Sequence, residues 1–362
     1  MQNQHAYVII MAGGIGSRFW PMSRQTFPKQ FHDILGRGRT LIQETFDRFA
    51  SFIPDSNIYV VTNERYKGLV QQQLPRLTDD QILLEPVGRN TAPCVAYAAY
   101  KITKKDPEAV FVVAPADHLI AREDIFRKLI ELGVQACASQ DIIMTLGITP
   151  TRPDTGYGYI QYIDDEHKRG FYKVKTFTEK PNLEVAKSFI ESGDFVWNGG
   201  IFLFSSSTIC TAFESFLPDM AEQFKGIEDA YYTPDEPQAI GDTYAICRNI
   251  SIDYGIMEKA SNVYVIPSDF GWSDLGTWGS VHENSQRDYH ENAVHAKTAV
   301  VYDAYNNVVQ TTRAEKLVVL KGLEGFIVVD TDDALLICKK DDEQFIKDIV
   351  GDMKGKYGDK YV

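Results

Sequence analysis

Val8 to Phe31, VIIMAGGIGSRFWPMSRQTFPKQF, is the stretch on which the reading of this chain turns. Val8, Ile9, Ile10 and Met11 form a short apolar run of the kind that makes a buried strand. It passes directly into a loop bearing Gly13, Gly14 and Gly16. Glycines there supply unusual dihedrals and close backbone approach, so that amide N–H groups can converge on an anion. Arg18 and Lys29 add positive charge, and the segment reads as a polyphosphate cradle. Two better-known glycine-rich loops do not fit. A Walker loop needs Lys and then Ser or Thr after its last glycine, whereas Ser17 and Arg18 follow Gly16. The dinucleotide fingerprint would place its third glycine where Phe19 stands. An ordinary strand-to-helix turn is the alternative for three glycines alone, as a solvated loop lysine is for Lys29.

Outward from this loop, strand-like and helical runs alternate. Tyr7 to Met11 leads to a helix at Leu41 to Phe49, which Thr40 and Gln43 can cap. Ile58 to Thr62 precedes Glu64 to Gln73, Ile82 to Leu84 precedes a helix opening at Asn90 and Thr91, and Ile125 to Ala138 precedes Ile142 to Leu146. Such repetition implies an α/β domain on a mostly parallel sheet, with ligands beyond the carboxyl ends of its strands. The Gly13 loop and Asp117, which follows Val110 to Val113, both fall at such ends. From Gly158 to Ile163, Tyr172 to Thr178 and Val196 to Phe204 strands predominate, as in an inserted sheet walling a pocket. The run EDAYYTPDE, Glu228 to Glu236, reads as a surface connection. After Tyr289 come short β-rich pieces and a final amphipathic helix near Asp341 to Met353, which divides the chain into domains of residues 1–288 and 289–362.

Composition narrows the classes. Thirty-seven basic against 50 acidic side chains give a formal charge of −13 over 362 residues. This argues against a general nucleic-acid or membrane surface and favours metal-assisted handling of a small anion by local positive groups. Five scattered cysteines without a C-x-x-C pair suggest neither a zinc cage nor a disulfide framework. The polar start MQNQHAY carries no secretory signature and no apolar run approaches a membrane span, so the expected location is cytoplasmic.

The signature G-G-x-G-x-R-x-W-P-x-S-R, continuing into Pro28-Lys29-Gln30-Phe31, resembles the sugar-nucleotide pyrophosphorylases, and in detail the mannose-1-phosphate guanylyltransferases. EPVGRNTAPCVAYAA (Glu85 to Ala99), PADH (Pro115 to His118), GYGYI (Gly156 to Ile160), FTEKPN (Phe177 to Asn182), WNGGIFLF (Trp197 to Phe204) and GWSDLGTW (Gly271 to Trp278) recur in that family's order. The resemblance implies a Rossmann-like nucleotidyltransferase domain with a small C-terminal left-handed β-helix-like domain, although no sharp hexapeptide repeat is present. The chain stops short of the cupin-type isomerase domain fused to some relatives, which reads as a short monofunctional form.

It further implies transfer of GMP from GTP to α-D-mannose 1-phosphate, giving GDP-mannose and pyrophosphate. Gly13, Gly14 and Gly16 then bind the triphosphate, and Arg18 and Lys29 stabilise the departing pyrophosphate. Asp117 and Asp274 pair as Mg²⁺ ligands, two carboxylates with phosphate oxygens and waters being a usual octahedron. The alternative for each is a turn aspartate. His118 reads as structural, because a sugar phosphate is already an anion. Glu179 is implied for the sugar hydroxyls and Lys180 for the sugar 1-phosphate, a strand-end ion pair being the alternative for these two; Asn198 offers a donor and an acceptor to the same hydroxyls, and Gly158 a backbone amide. For the base, Glu85 can accept both guanine N1–H and N2–H₂, framed by Gly88, Asn90 and Thr91. Glu85 paired with Arg89 is the alternative. A pyrophosphorylase for another sugar or base, or a catalytically silent regulatory subunit, stands beside this reading. A homodimer stays open.

Overall fold

The computed structural model describes residues 4–164 and 170–362; Met1 to Asn3 of the polar N-terminal run lie outside the described residues. The chain forms two compact units. The first comprises residues 1–13, 46–116 and 120–272, and the second residues 14–45, 117–119 and 273–362. Both are discontinuous in sequence.

The strands in chain order are β1 (Ala6–Met11), β2 (Ile58–Asn63), β3 (Ile82–Glu85), β4 (Val110–Pro115), the two-residue β5 (Leu119–Ile120), β6 (Ile143–Ile148), β7 (Tyr159–Ile163), β8 (Tyr172–Thr178), β9 (Phe195–Ser205), β10 (Val263–Ser268) and the two-residue β11 (Trp272–Ser273). Nine of them form the sheet of the first unit, in the order β3-β2-β1-β4-β9-β6-β10-β8-β7. Its parallel part is β3-β2-β1-β4 and the β6–β10 pair. The long β9 returns from the β7–β8 hairpin and enters antiparallel between β4 and β6, which makes the sheet mixed. The sequence explains this placement. Val8, Ile9 and Ile10 have no exposed surface, as continuous apolar runs require when a strand is covered on both faces. In β1 and β4, Met11 lies opposite Pro115, so the two chain segments leave the sheet side by side at its carboxyl end.

Helices α1 (Leu41–Ala50), α2 (Lys67–Gln73), α3 (Thr91–Lys105), α4 (Glu123–Ser139), α5 (Leu183–Ser192), α6 (Ser206–Phe216), α7 (Pro218–Gly226) and α8 (Glu236–Ile246) connect these strands. The expected cap of α1 is present: the Thr40 N–H donates to Gln43 Oε1 at 3.1 Å. The Glu228 to Glu236 run is the expected surface connection, joining α7 to α8 with Glu228, Asp229, Thr233, Pro234 and Asp235 exposed, but two of its residues point inward. Tyr231 and Glu236 are buried, and Glu236 Oε1 accepts from Lys101 Nζ at 2.7 Å and Tyr97 OH at 2.6 Å. Its acidic and turn-forming residues signal exposure, and Glu236 alone among them departs from it: a buried carboxylate is tolerated where a cation and hydroxyl satisfy it, and Lys101 sits on the apolar face of α3 for this purpose.

In the second unit, α9 (Trp278–Asn284) and α10 (Ile346–Tyr357) accompany β12 (Ala293–His295), β13 (Thr298–Tyr302), β14 (Val308–Thr311), β15 (Leu317–Lys321), β16 (Phe326–Asp330) and β17 (Leu335–Lys339). β12-β14-β16 and β13–β15 are parallel ladders whose partners are 15 to 19 residues apart, as in successive coils of a β-helix. Inside the coils Asn307 Nδ2 donates to Asn292 Oδ1 at 2.8 Å, and both residues are buried. Phe19, Trp20, Met22, Ile34, Leu35 and Leu41 share one apolar cluster with Trp278, Val281, Val308, Ile327, Val329 and Ile346. All five cysteines are free thiols.

Candidate active site

In the second unit the segments after β1 and β4 meet Asp274. Gly16 lies at φ +76°, and a Cβ on it would fall 2.5 Å from the Cβ of Lys29. Only glycine allows both the turn and this approach. The Lys29 stem is thereby fixed, its backbone N–H donating to the Ile15 carbonyl at 3.1 Å. The side chain of Lys29 is almost wholly buried. Its Nζ donates to Asp117 Oδ2 at 3.0 Å and to the Asp274 carbonyl at 2.9 Å. Burial alone would raise the Asp117 pKa, but the charges of Lys29 and His118 outweigh it and hold the carboxyl below its ordinary value. Asp274 Oδ1 accepts the Gly276 N–H at 3.0 Å. Arg18 is exposed, with Nε donating to Gln344 Oε1 at 2.9 Å. Arg18, Lys29, Asp117, His118, Asp274 and Lys347 line a polar cavity of about 340 Å³. Lys347 was not singled out by its sequence context, where it reads as the solvated face of an amphipathic helix.

The first unit holds the residues read for base and sugar. Glu85 ends β3, is buried, and accepts from Tyr244 OH at 3.1 Å. Burial raises its pKa to about 7, with the Tyr244 hydrogen bond opposing the shift. The Arg89 alternative does not occur: Arg89 Nε and Nη2 donate instead to the carbonyls of Tyr244 and Ala245. Gly13 lies beside Glu85, the position of a Cβ on it being 3.2 Å from Glu85 Oε2, whereas one on Gly14 or Gly88 would meet nothing. Asn90, at φ +69°, caps α3 by accepting from the Thr91 N–H at 2.9 Å. Thr91 Oγ1 accepts from the Ile252 N–H at 2.9 Å, which ties α3 to the π-turn Asp253–Met257.

Gly158, Glu179 and Asn198 converge. A Cβ on Gly158 would lie 2.4 Å from Glu179 Oε2 and 3.3 Å from the Asn198 Cβ, so the closeness of this cluster depends on glycine. The Glu179 carboxylate is largely buried and pairs with the exposed ammonium of Lys180. Both ends of the Asn198 amide already have protein partners: Nδ2 donates to Asp253 Oδ1 at 2.9 Å, and Oδ1 accepts from the Gly200 N–H at 3.1 Å. Asp253 was missed by sequence reading. Desolvation, then repulsion from Glu179, raises its pKa to about 6. The signal available was one acidic residue inside the apolar run SIDYGIM. Tyr157 packs edge-on against Trp197 and Trp272, with ring centroids 5.0 and 5.3 Å apart.

Residues 7–291 match the model of the nucleotidyl transferase family, and residues 297–353 match that of the MannoseP isomerase/GMP-like beta-helix domain. The chain is 37% identical to the xanthan biosynthesis protein XanB of Xanthomonas campestris pv. campestris (strain B100), over 96% of this chain and 73% of that protein. It is 35% identical to mannose-1-phosphate guanylyltransferase 2 of Escherichia coli O157:H7, over 100% of this chain and 76% of that one. A crystal structure from Thermus thermophilus, described as a mannose-1-phosphate geranyltransferase, superposes with a TM-score of 0.87 at 30% identity, covering 97% of this chain and 99% of that one. Full-length likeness of this kind, joined to a basic, carboxylate-bearing cavity after β1 and β4, leaves one conclusion: the chain is an enzyme of the nucleotidyl transferase family.

Proposed function

We propose that the protein transfers GMP from GTP to α-D-mannose 1-phosphate, releasing pyrophosphate. The observation that carries the phosphate part is the buried Lys29 ammonium beside Asp117, in a cavity also lined by Arg18 and Asp274. Lys29 and Arg18 stabilise the leaving pyrophosphate, and Lys180 receives the sugar phosphate. The sugar phosphate oxygen attacks the α-phosphorus in line, displacing pyrophosphate; it needs no base, being already ionised. Glu179 and the backbone at Gly158 read the sugar hydroxyls, and Asn198, held by Asp253, sets the wall of that site. Glu85 reads the base beside the Gly13 backbone, with Gly88, Asn90 and Thr91 framing it. The nucleoside triphosphate substrate points to a cytoplasmic location.

A magnesium ion fits the donor set. Among the described residues no group of three or more His, Cys, Asp or Glu side chains forms a closed cage, while Asp117 and Asp274 present hard oxygens to the same cavity. Mg²⁺ characteristically takes one or two carboxylates and completes its shell with substrate phosphates and water. Bound there, it would neutralise phosphate charge and polarise the phosphoryl group.

An activity matrix of nucleoside triphosphates against hexose 1-phosphates, with and without Mg²⁺, tests the whole reading. Pyrophosphate release from GTP with mannose 1-phosphate must exceed every other pair, and equal rates across the matrix would defeat the assignment. Lys180→Ala should raise KM for the sugar phosphate more than KM for GTP. A charge-assisted contact of about 1.5–3 kcal/mol corresponds to roughly tenfold to a hundredfold. A larger effect on GTP would move Lys180 away from the sugar phosphate.

Glu85 makes a pH prediction. Its folded-state pKa, about 7, is above the ordinary 4.5, so proton uptake favours the free fold at low pH and that contribution is lost as pH rises through about 7. The ionised form is the one that accepts guanine N1–H and N2–H₂. Thus kcat/KM for GTP should climb as pH rises through neutrality, and Glu85→Gln should flatten the climb and narrow the preference for GTP over inosine triphosphate. An unchanged ratio and pH profile would assign base reading to backbone groups.

A further inference from the structure

The lysine at the start of the C-terminal helix stands apart from the other charged groups of the phosphate cavity. Lys347 lines it with Arg18 and Lys29, yet has neither ion-pair nor hydrogen-bond partner among the described residues. Lys29, by contrast, is committed to Asp117 and to the Asp274 carbonyl. The cavity therefore carries three cations against two carboxylates, with the surplus charge on an uncommitted ammonium. If a divalent cation takes up the carboxylates, all three positive groups are left for an anion of several charges.

The placement of Lys347 is built rather than incidental. Ile346, the preceding residue, has no exposed surface and belongs to the cluster containing Phe19 and Trp278. One residue further along a helix turns about 100°, so anchoring Ile346 in the core puts Lys347 at the rim. Gln344, three residues earlier, accepts from Arg18 Nε, and Glu343 Oε2 accepts the Gly279 N–H at 2.7 Å. Gln344 and Lys347 are three residues apart across the junction between the 3-10 turn Lys340–Phe345 and α10, a spacing that puts neighbouring side chains on one helical side. The segment that positions Arg18 also delivers Lys347.

We infer that Lys347 is a third cationic ligand of the pyrophosphate moiety, supplied by the C-terminal segment. It contacts the β- and γ-phosphates of the bound nucleotide and the pyrophosphate leaving group, as an addition to Arg18 and Lys29. The inference deepens the proposed reaction and rests on it for the identity of the nucleotide, but its core, a diphosphate-binding lysine on α10, is tested without nucleotide.

The test uses the full chain. Wild type, Lys347→Ala, Lys347→Arg and Lys347→Gln are titrated calorimetrically with inorganic pyrophosphate in the presence of Mg²⁺, with Lys356→Ala, an exposed lysine of the same helix, as control. Loss of a charge-assisted phosphate contact predicts a dissociation constant raised roughly tenfold to a hundredfold in the Ala and Gln variants. Partial recovery in the Arg variant and no change in the control are also expected. In turnover assays KM for pyrophosphate in the reverse direction rises in parallel, while KM for mannose 1-phosphate does not move. Unchanged pyrophosphate affinity in a folded Ala or Gln variant overturns the inference, and so does a melting-temperature loss without an affinity loss in every variant. Weakened pyrophosphate binding in a protein that does not use GTP with mannose 1-phosphate supports Lys347 while rejecting the proposed substrates.

Discussion

Asp117→Asn and Asp274→Asn each lower kcat by about a thousandfold or more, the order expected when several kcal/mol of charge neutralisation is withdrawn from a phosphoryl transfer. The two are expected to act alike because both carboxylates line one cavity and Lys29 bonds to both residues. Asn preserves volume and one acceptor, so circular dichroism should resemble wild type in both; Asp274→Asn should also melt like wild type, whereas Asp117→Asn, which leaves the buried Lys29 ammonium without its counter-charge, should melt lower. The Mg²⁺ concentration needed for half-maximal activity should rise in any residual turnover. A folded Asp274→Asn enzyme with wild-type kcat and Mg²⁺ dependence would return that residue to the role of a turn aspartate.

Lys29→Met is the second large effect, and it acts on stability and catalysis together. The ammonium is nearly fully buried, and its loss leaves Asp117 without its nearest cation. Removing one partner of a buried pair costs up to about 3–5 kcal/mol; Asp117 keeps a third of its side chain exposed, so the penalty is discounted and a lower melting temperature with a retained fold is expected. In catalysis kcat/KM for GTP falls roughly a hundredfold through the lost phosphate contact. The pH dependence gives an independent reading. The native Asp117 pKa is depressed, so its contribution to stability is present above the ordinary carboxyl value of 3.8 and disappears as pH falls through the lowered one. Without Lys29 burial is less opposed, and the acid limb of the activity profile moves to higher pH. An unshifted acid limb, with only the melting temperature affected, would make Lys29 a structural residue.

The sequence was most legible where local chemistry and tertiary structure agree. β1, β2, β4 and β8 stand within a residue or two of the expected runs, because buried or alternating apolar residues mark them directly. Lys29, Asp117 and Asp274 were found as a set through their motifs, and the structure brings them within one cavity. Less was visible where a residue's environment comes from remote chain. Glu236 reads as exposed beside Thr233, Pro234 and Asp235, and only the arrival of Lys101 and Tyr97 makes its burial tolerable. Nothing in the local sequence of Asn292 and Asn307 shows that they bond to each other inside the β-coils. Asp253 and Lys347 escaped for the same reason: one is a lone carboxylate in an apolar run, the other a lysine on an amphipathic helix, and neither pattern carries a chemical signature of its own.

The segmental make-up of the second unit has a consequence for biosynthesis. Phe19 and Trp20 leave the ribosome early, but Trp278, Ile327 and Ile346, which share their apolar cluster, are made some 260 to 330 residues later. At about 5–20 residues per second, the aromatic side chains next to the phosphate loop wait roughly a quarter of a minute to a minute for their partners. A nascent chain cut short at residue 288 would carry Arg18, Lys29, Asp117 and Asp274 without β12 to β17 or α10. Premature termination there leaves Arg18, Lys29, Asp117 and Asp274 translated but Lys347 and much of the surrounding apolar core missing, so that competence for turnover waits for α10 rather than for the GWSDLGTW segment.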